Sequence, residues 1–259
     1  MNDMIAEKIP MEPVRGPILC FFHIPRTGGT TLNRMFSWVL RDHAVFHGAL
    51  LAKWGGEAGL AAVLKSDSQI YERMILLTGH YGLAHPLVCH APRPIRIAAV
   101  LRHPLERIVS LYDYIRGRPD HPEHSLLSKL SLNQAMDTDL PFANHCINAQ
   151  LRILFNAQDQ NGIAAALHRH PYLLGRMDAL DAFARTLIGL FGVTLAESLP
   201  RFNQRPILPG VIPARAEADY AVALARLEGY NRAELEFFAR MPPIFASKPK
   251  RSFPEQGAA

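Results

Sequence analysis

Apolar positions in this chain alternate between two patterns. Short, nearly unbroken apolar runs occupy Ile18–Phe22, 73–77, Ile95–Leu101 and 172–177, with a shorter one at 45–47. A run with no polar position over five residues reads as a parallel strand buried on both faces, since a strand with one wet face would alternate. Between the runs, apolar residues return at helical spacing. Leu32, Met35, Phe36 and Val39 predict a helix over 31–41, and Leu105, Ile108, Val109 and Tyr112 predict one from Pro104 to near Gly117. Pro104 suits the first turn of that helix, where its missing N–H is not needed. Further helices are expected over 59–65, 144–155, 162–168 and 178–190, and one or two over 216–240; 53–56, 118–124 and 202–213 read as loops. Strands alternating with helices imply a three-layer α/β fold, a central parallel sheet flanked by helices, with any ligand at the carboxyl ends of the strands. One domain is expected over 1–259, its core at about 17–241 between a loose N-terminal arm and a C-terminal tail.

Composition narrows the chemistry only slightly. At 259 residues and 49% hydrophobic content the chain can bury one large α/β core. Its net charge of +5 favours anionic ligands, but the basic residues are spread out and leave no concentrated footprint for nucleic acid. Three cysteines, Cys20, Cys89 and Cys146, show neither paired numbers nor zinc spacing, so no disulfide framework or structural metal is expected. No apolar signal-peptide core opens the chain, and no run of roughly 18 apolar residues suggests a membrane span.

The informative break lies between the first strand and the first helix: His23-Ile24-Pro25-Arg26-Thr27-Gly28-Gly29-Thr30-Thr31. Strand, glycine turn, cation, hydroxyls and helix start together form a layout that cradles an anion. Glycines admit close backbone approach, and the helix start offers N–H groups with no partner in the helix. The nucleoside-triphosphate spacing GxxxxGK[ST] is not present. HIPRTGGTTL instead resembles the 5′-phosphosulfate loop of sulfotransferases that use 3′-phosphoadenosine 5′-phosphosulfate (PAPS), most closely the carbohydrate enzymes of the heparan sulfate 2-O-sulfotransferase type. In that resemblance Arg26, Thr27, Gly28, Gly29, Thr30 and Thr31 hold the phosphosulfate, Arg26 standing where the family usually has lysine. The resemblance implies a P-loop-like fold. Golgi members of the family carry a membrane anchor; without one, this chain is expected to be a soluble cytoplasmic enzyme of bacterial type.

A second segment, VLRHPLERIVSLYDYIR (100–116), puts Arg102 at a strand end and Ser110 two turns into the next helix. A guanidinium matches phosphate bidentately and a hydroxyl adds a neutral donor. The segment resembles the family's 3′-phosphate site, which assigns Arg102 and Ser110 to that phosphate; His103 stands where the family often has Asp or Asn. A third, Thr78-Gly79-His80, resembles the segment carrying the family's catalytic base. An acceptor hydroxyl must lose a proton as it attacks, and imidazole has a suitable pKa. His80 is therefore the expected base, with His85, His23 and His47 as secondary candidates. Weaker likenesses lie at YLLGRMDALDAF (172–183) and at Arg201-Phe202-Asn203.

The function so implied is transfer of a sulfuryl group from PAPS to an acceptor hydroxyl, first of all on a glycan, with lipid, small alcohol or peptide tyrosine as other acceptors. Catalysis would rest on positioning and charge stabilisation by Arg26 and His80, with no metal required. Two other readings stand beside it: a P-loop nucleotide-dependent kinase, and a degenerate sulfotransferase-like protein that only binds an anion.

Overall fold

All five residues of Ile18–Phe22 are buried, and their side chains alternate between two cores. Ile18, Cys20 and Phe22 face one side of a sheet, Leu19 and Phe21 the other. The computed structural model describes residues 16–41, 44–66, 71, 74–195 and 211–247. Its strands are β1 (Ile18–Phe22), β2 (Ala44–Phe46), β3 (Leu76–Gly79), β4 (Ile95–Leu101), β5 (Tyr172–Arg176) and β6 (Ile244–Ala246). They form one sheet in the order β2-β3-β1-β4-β5-β6. The first five are mutually parallel and β6 pairs antiparallel with β5. From β1 the chain builds outward to β2 and β3 on one side, then returns to build β4 and β5 on the other. The order reverses between β1 and β4, where connections diverge and leave a crevice at the strand ends.

The helices are α1 (Gly29–Val39), α2 (His47–Trp54), α3 (Glu57–Ser66), α4 (Pro86–Cys89), α5 (Pro104–Arg116), α6 (His124–Leu127), α7 (Leu132–Ala135), α8 (Pro141–Asn144), α9 (Ala149–Phe155), α10 (Gln160–Arg169), α11 (Leu180–Gly189), α12 (Tyr220–Tyr230) and α13 (Arg232–Arg240). On one face of the sheet, α1 and α11 pack Leu32, Met35, Phe36, Phe183 and Leu187 against Phe21 and Val100. On the opposite face Leu50, Leu60, Leu151 and Leu154 meet Phe22 and Leu77. The result is a three-layer α/β fold with a mostly parallel central sheet. A third core joins α5, α6, α7, α8 and α12 around Ile108, Tyr112, Leu127 and Phe142.

Several local expectations are corrected. The expected strand over 73–77 forms instead at β3, because pairing with β1 sets Leu76 against Leu19 and Gly79 against Phe22. The expected loop over 53–56 is helical as far as Trp54, and Gly55, at φ 72°, ends α2. The single helix expected over 144–155 is two, α8 and α9. Between them Asn148 takes a left-handed φ of 40°. Asn231 holds that break, donating to the Cys146 carbonyl at 2.7 Å and accepting from the Asn148 N–H at 2.8 Å. Residues 244–246, expected in the tail, form the antiparallel edge strand, with Phe245 opposite Leu174. All but the last residue of the arm expected over 1–16, the segment Arg201-Phe202-Asn203 and the last residues of the tail lie outside the described residues. Among the described residues no helix is long and apolar enough to cross a membrane.

The end of β4 is held by a buried polar network. The Gln150 side chain accepts from the Arg102 N–H (3.0 Å) and donates to the Arg102 carbonyl (2.9 Å), extending the sheet's pairing beyond its last residue. Gln150 in turn donates through its backbone N–H (2.8 Å) and side-chain amide (2.6 Å) to Glu234. Glu234 has no solvent exposure. A buried carboxylate is tolerable only with such partners, so α13 fixes the backbone from which the Arg102 side chain departs.

Candidate functional site

The loop after β1 is shaped by two left-handed residues, Arg26 (φ 68°) and Gly28 (φ 90°). They curl the chain so that Thr27 turns inward and donates to the Ile24 carbonyl at 2.9 Å. Gly28 caps α1, and Gly29 opens it. A Cβ at Gly29 would lie 2.0 Å from His23 Cδ2, so only glycine lets that ring lie against the helix start. First-turn N–H groups of a helix have no partner within it and carry partial positive charge.

Arg26 and Ser110 meet although 84 residues apart: Arg26 Nε donates to Ser110 Oγ at 3.1 Å. The guanidinium also lies over the Tyr114 ring, 4.6 Å from its centroid. A lysine could not stack and fork in this way. Burial lowers the Arg26 pKa; Tyr114 opposes the shift and the Arg102 charge adds to it. The Arg102 side chain forms an ion pair with the exposed Glu106, at 3.4 Å. Two cations that press on one another beside a helix start make a site complementary to an anion.

These groups surround a cleft of about 770 Å³ at the β1/β4 reversal. Arg26, Gly28, Gly29, Thr30, Thr31 and Arg102 line it. Thr27 does not, and Ser110 joins through its bond with Arg26. Two lining residues carried little or no motif signal. Arg176, at the end of β5, pairs with Asp178 at 2.5 Å and lies 4.8 Å from the Phe238 ring centroid. Its visible sign is a third cation closing an apolar strand. Phe238 comes from α13, far along the chain, and no local pattern marks it.

His80 follows β3 and stacks on His23, ring centroids 4.3 Å apart and planes at 26°. His23, not His80, lines the cleft. Asn33 donates to His23 Nδ1 at 3.2 Å while accepting from Thr78 Oγ1 at 2.6 Å. That chain leaves the His23 proton on Nε2, toward the loop. Burial, reinforced by His80, lowers the His23 pKa to about 3, making it a neutral donor rather than a base. Solvent reaches His80, yet the protein around it still desolvates the ring and lowers its pKa, opposed by a hydrogen bond with the His23 backbone. His80 is thus the accessible neutral imidazole of the pair.

His145, lowered to about 4 by burial and then by Arg107, behaves like His23. Both take a proton near pH 6.5 when unfolded but only near 3 to 4 when folded. Their contribution to stability is complete above about pH 6.5 and is lost as pH falls through that window. The melting temperature is expected to drop between about pH 6.5 and 5, above the ordinary carboxylate range. A flat profile there would contradict the buried, neutral placement of both rings.

No family model matches the sequence, and no curated protein matches it. Among solved structures, a chain from the PezAT chromosomal toxin–antitoxin system of the human pathogen Streptococcus pneumoniae is similar over 87% of this chain and 89% of that one. The identity is 11% and the TM-score 0.32, a likeness too distant to carry a functional argument.

Proposed function

We propose that the chain is a sulfotransferase that moves a sulfuryl group from PAPS to an acceptor hydroxyl, most simply that of a sugar. The observation that carries the reading is the convergence of Arg26 and Arg102 on the start of α1 at the strand-order reversal, with Ser110 joining the two motifs. The 5′-phosphosulfate would lie against Gly28, Gly29, Thr30 and Thr31, and the 3′-phosphate at Arg102 and Ser110. The acceptor oxygen attacks sulfur in line, and the bond from sulfur to the bridging phosphate oxygen breaks. The acceptor proton goes to the His80 imidazole, and the charge left on adenosine 3′,5′-bisphosphate is taken up by Arg26 and the loop N–H groups. His23 contributes a neutral N–H beside that loop.

Thermal melting of the full chain separates this reading from a kinase. Adenosine 3′,5′-bisphosphate at 100 times its Kd should add about 2.7 kcal/mol of stability, and magnesium-ATP should add little. Stabilisation by magnesium-ATP alone would sink the proposal. A second reading, binding without turnover, is favoured by the commitment of Arg26 to Ser110 and Tyr114. Bisphosphate binding combined with no sulfuryl transfer from PAPS to any acceptor in an extract would select it.

A further inference from the structure

On the far side of His80 from the cleft, three side chains from separate elements converge. His47 opens α2, Glu57 opens α3, and His85 precedes α4. His47 Nε2 lies 3.2 Å from Glu57 Oε1, and His85 Nε2 lies 3.0 Å from Glu57 Oε2. One donor atom from each residue falls within 4.8 Å of the others. His47 is only 5% exposed, and its Nε2 faces the Glu57 carboxylate from inside the cluster. We propose that His47, Glu57 and His85 bind a zinc ion.

Zinc bonds of 2.0–2.1 Å in a tetrahedron put neighbouring donors about 3.3–3.4 Å apart. The two measured separations run to different oxygens of Glu57, so binding through one oxygen needs the exposed carboxylate to turn and the donors, now within 4.8 Å of one another, to draw in around the ion. Two imidazoles with one carboxylate suit zinc and other borderline ions, whereas magnesium and calcium prefer oxygen alone. The exposed side of Glu57 leaves the fourth position to solvent. His47 Cβ also fills the space beside Gly79, where a further Cβ would come within 2.3 Å. The ion would therefore clasp α2, α3 and the loop after β3 to the strand end that carries His80, without belonging to the nucleotide cleft.

Ligation has a local cost that serves as its signature. His85 Nδ1 now accepts from the Leu87 N–H at 3.2 Å, which places the ring proton on Nε2. Binding zinc through Nε2 moves that proton to Nδ1, so a neutral ring releases none, and the Leu87 N–H loses its acceptor.

The test uses the full chain titrated with zinc chloride, and with magnesium chloride for comparison, by calorimetry and amide exchange. Zinc is expected to bind one to one, raise the melting temperature and speed exchange at Leu87, while magnesium does none of these. Glu57→Gln alters an exposed side chain, and His85→Asn keeps a residue able to cap α4. Each should weaken zinc by more than the roughly 10–100-fold that loss of an outer-shell partner costs. Absence of saturable one-to-one binding, zinc affinity unchanged in either variant, or unaltered Leu87 exchange would overturn the site.

Discussion

His80→Ala is expected to lower sulfuryl transfer by about 10²–10⁴-fold, the usual contribution of a positioned acid–base group. The affinity for adenosine 3′,5′-bisphosphate should stay within a few-fold of wild type, because His80 does not line the cleft. The pH dependence gives the sharper reading. Desolvation lowers the His80 pKa, so the neutral, active form persists to more acid pH than a free imidazole would allow. Wild-type turnover should rise with pH through a value below the ordinary 6.5 and then level off. The mutant should lose that inflection. Loss of the stacked partner of His23 at 4.3 Å could also disturb the loop, and melting with bisphosphate titration on the same variant would expose this. Full turnover with an unchanged pH profile would remove His80 from the mechanism.

Gly29→Ala carries the second large effect. Its new methyl would sit 2.0 Å from His23 Cδ2 and 2.5 Å from His23 Nε2. Either the ring leaves, breaking its bond to Asn33, or the start of α1 shifts away from the loop. Overpacking of this kind costs about 2–3 kcal/mol, which here falls on the loop proposed to receive the 5′-phosphate, so bisphosphate affinity should fall roughly 30–100-fold. Gly48→Ala is the matched control, since nothing lies within 4 Å of a Cβ there. Equal affinity in the two variants would mean that the Gly28–Gly29 turn has no part in nucleotide binding.

Sequence pattern makes some of this architecture legible and hides the rest for identifiable reasons. β1 and β4 are buried on both faces, so their apolar runs alone mark them. α1 and α5 follow with one apolar face each, and the loops between carry the glycines and cations of the cleft. β6 has only three residues at an edge, none fully buried, and depends on β5 for its existence. The break at Asn148 is set by Asn231, and the frame behind Arg102 by Glu234; both partners lie more than eighty residues further on. The stacking of His23 on His80 arises because β1 and β3 are neighbours in the sheet. His47, Glu57 and His85 likewise have no motif spacing, being gathered by the packing of α2, α3 and the loop after β3.

The central proposal is that Arg102 receives the 3′-phosphate of an adenosine nucleotide whose 5′ group lies on the loop at the start of α1. Calorimetry of wild type and Arg102→Ala, each with adenosine 3′,5′-bisphosphate and with adenosine 5′-monophosphate, tests it most directly. Loss of a charge-assisted contact is worth about 2 kcal/mol, so the mutation should weaken the bisphosphate roughly 30-fold. Deleting the 3′-phosphate should weaken wild-type binding by a similar factor and leave the mutant almost unaffected. Equal losses in both proteins would contradict the assignment.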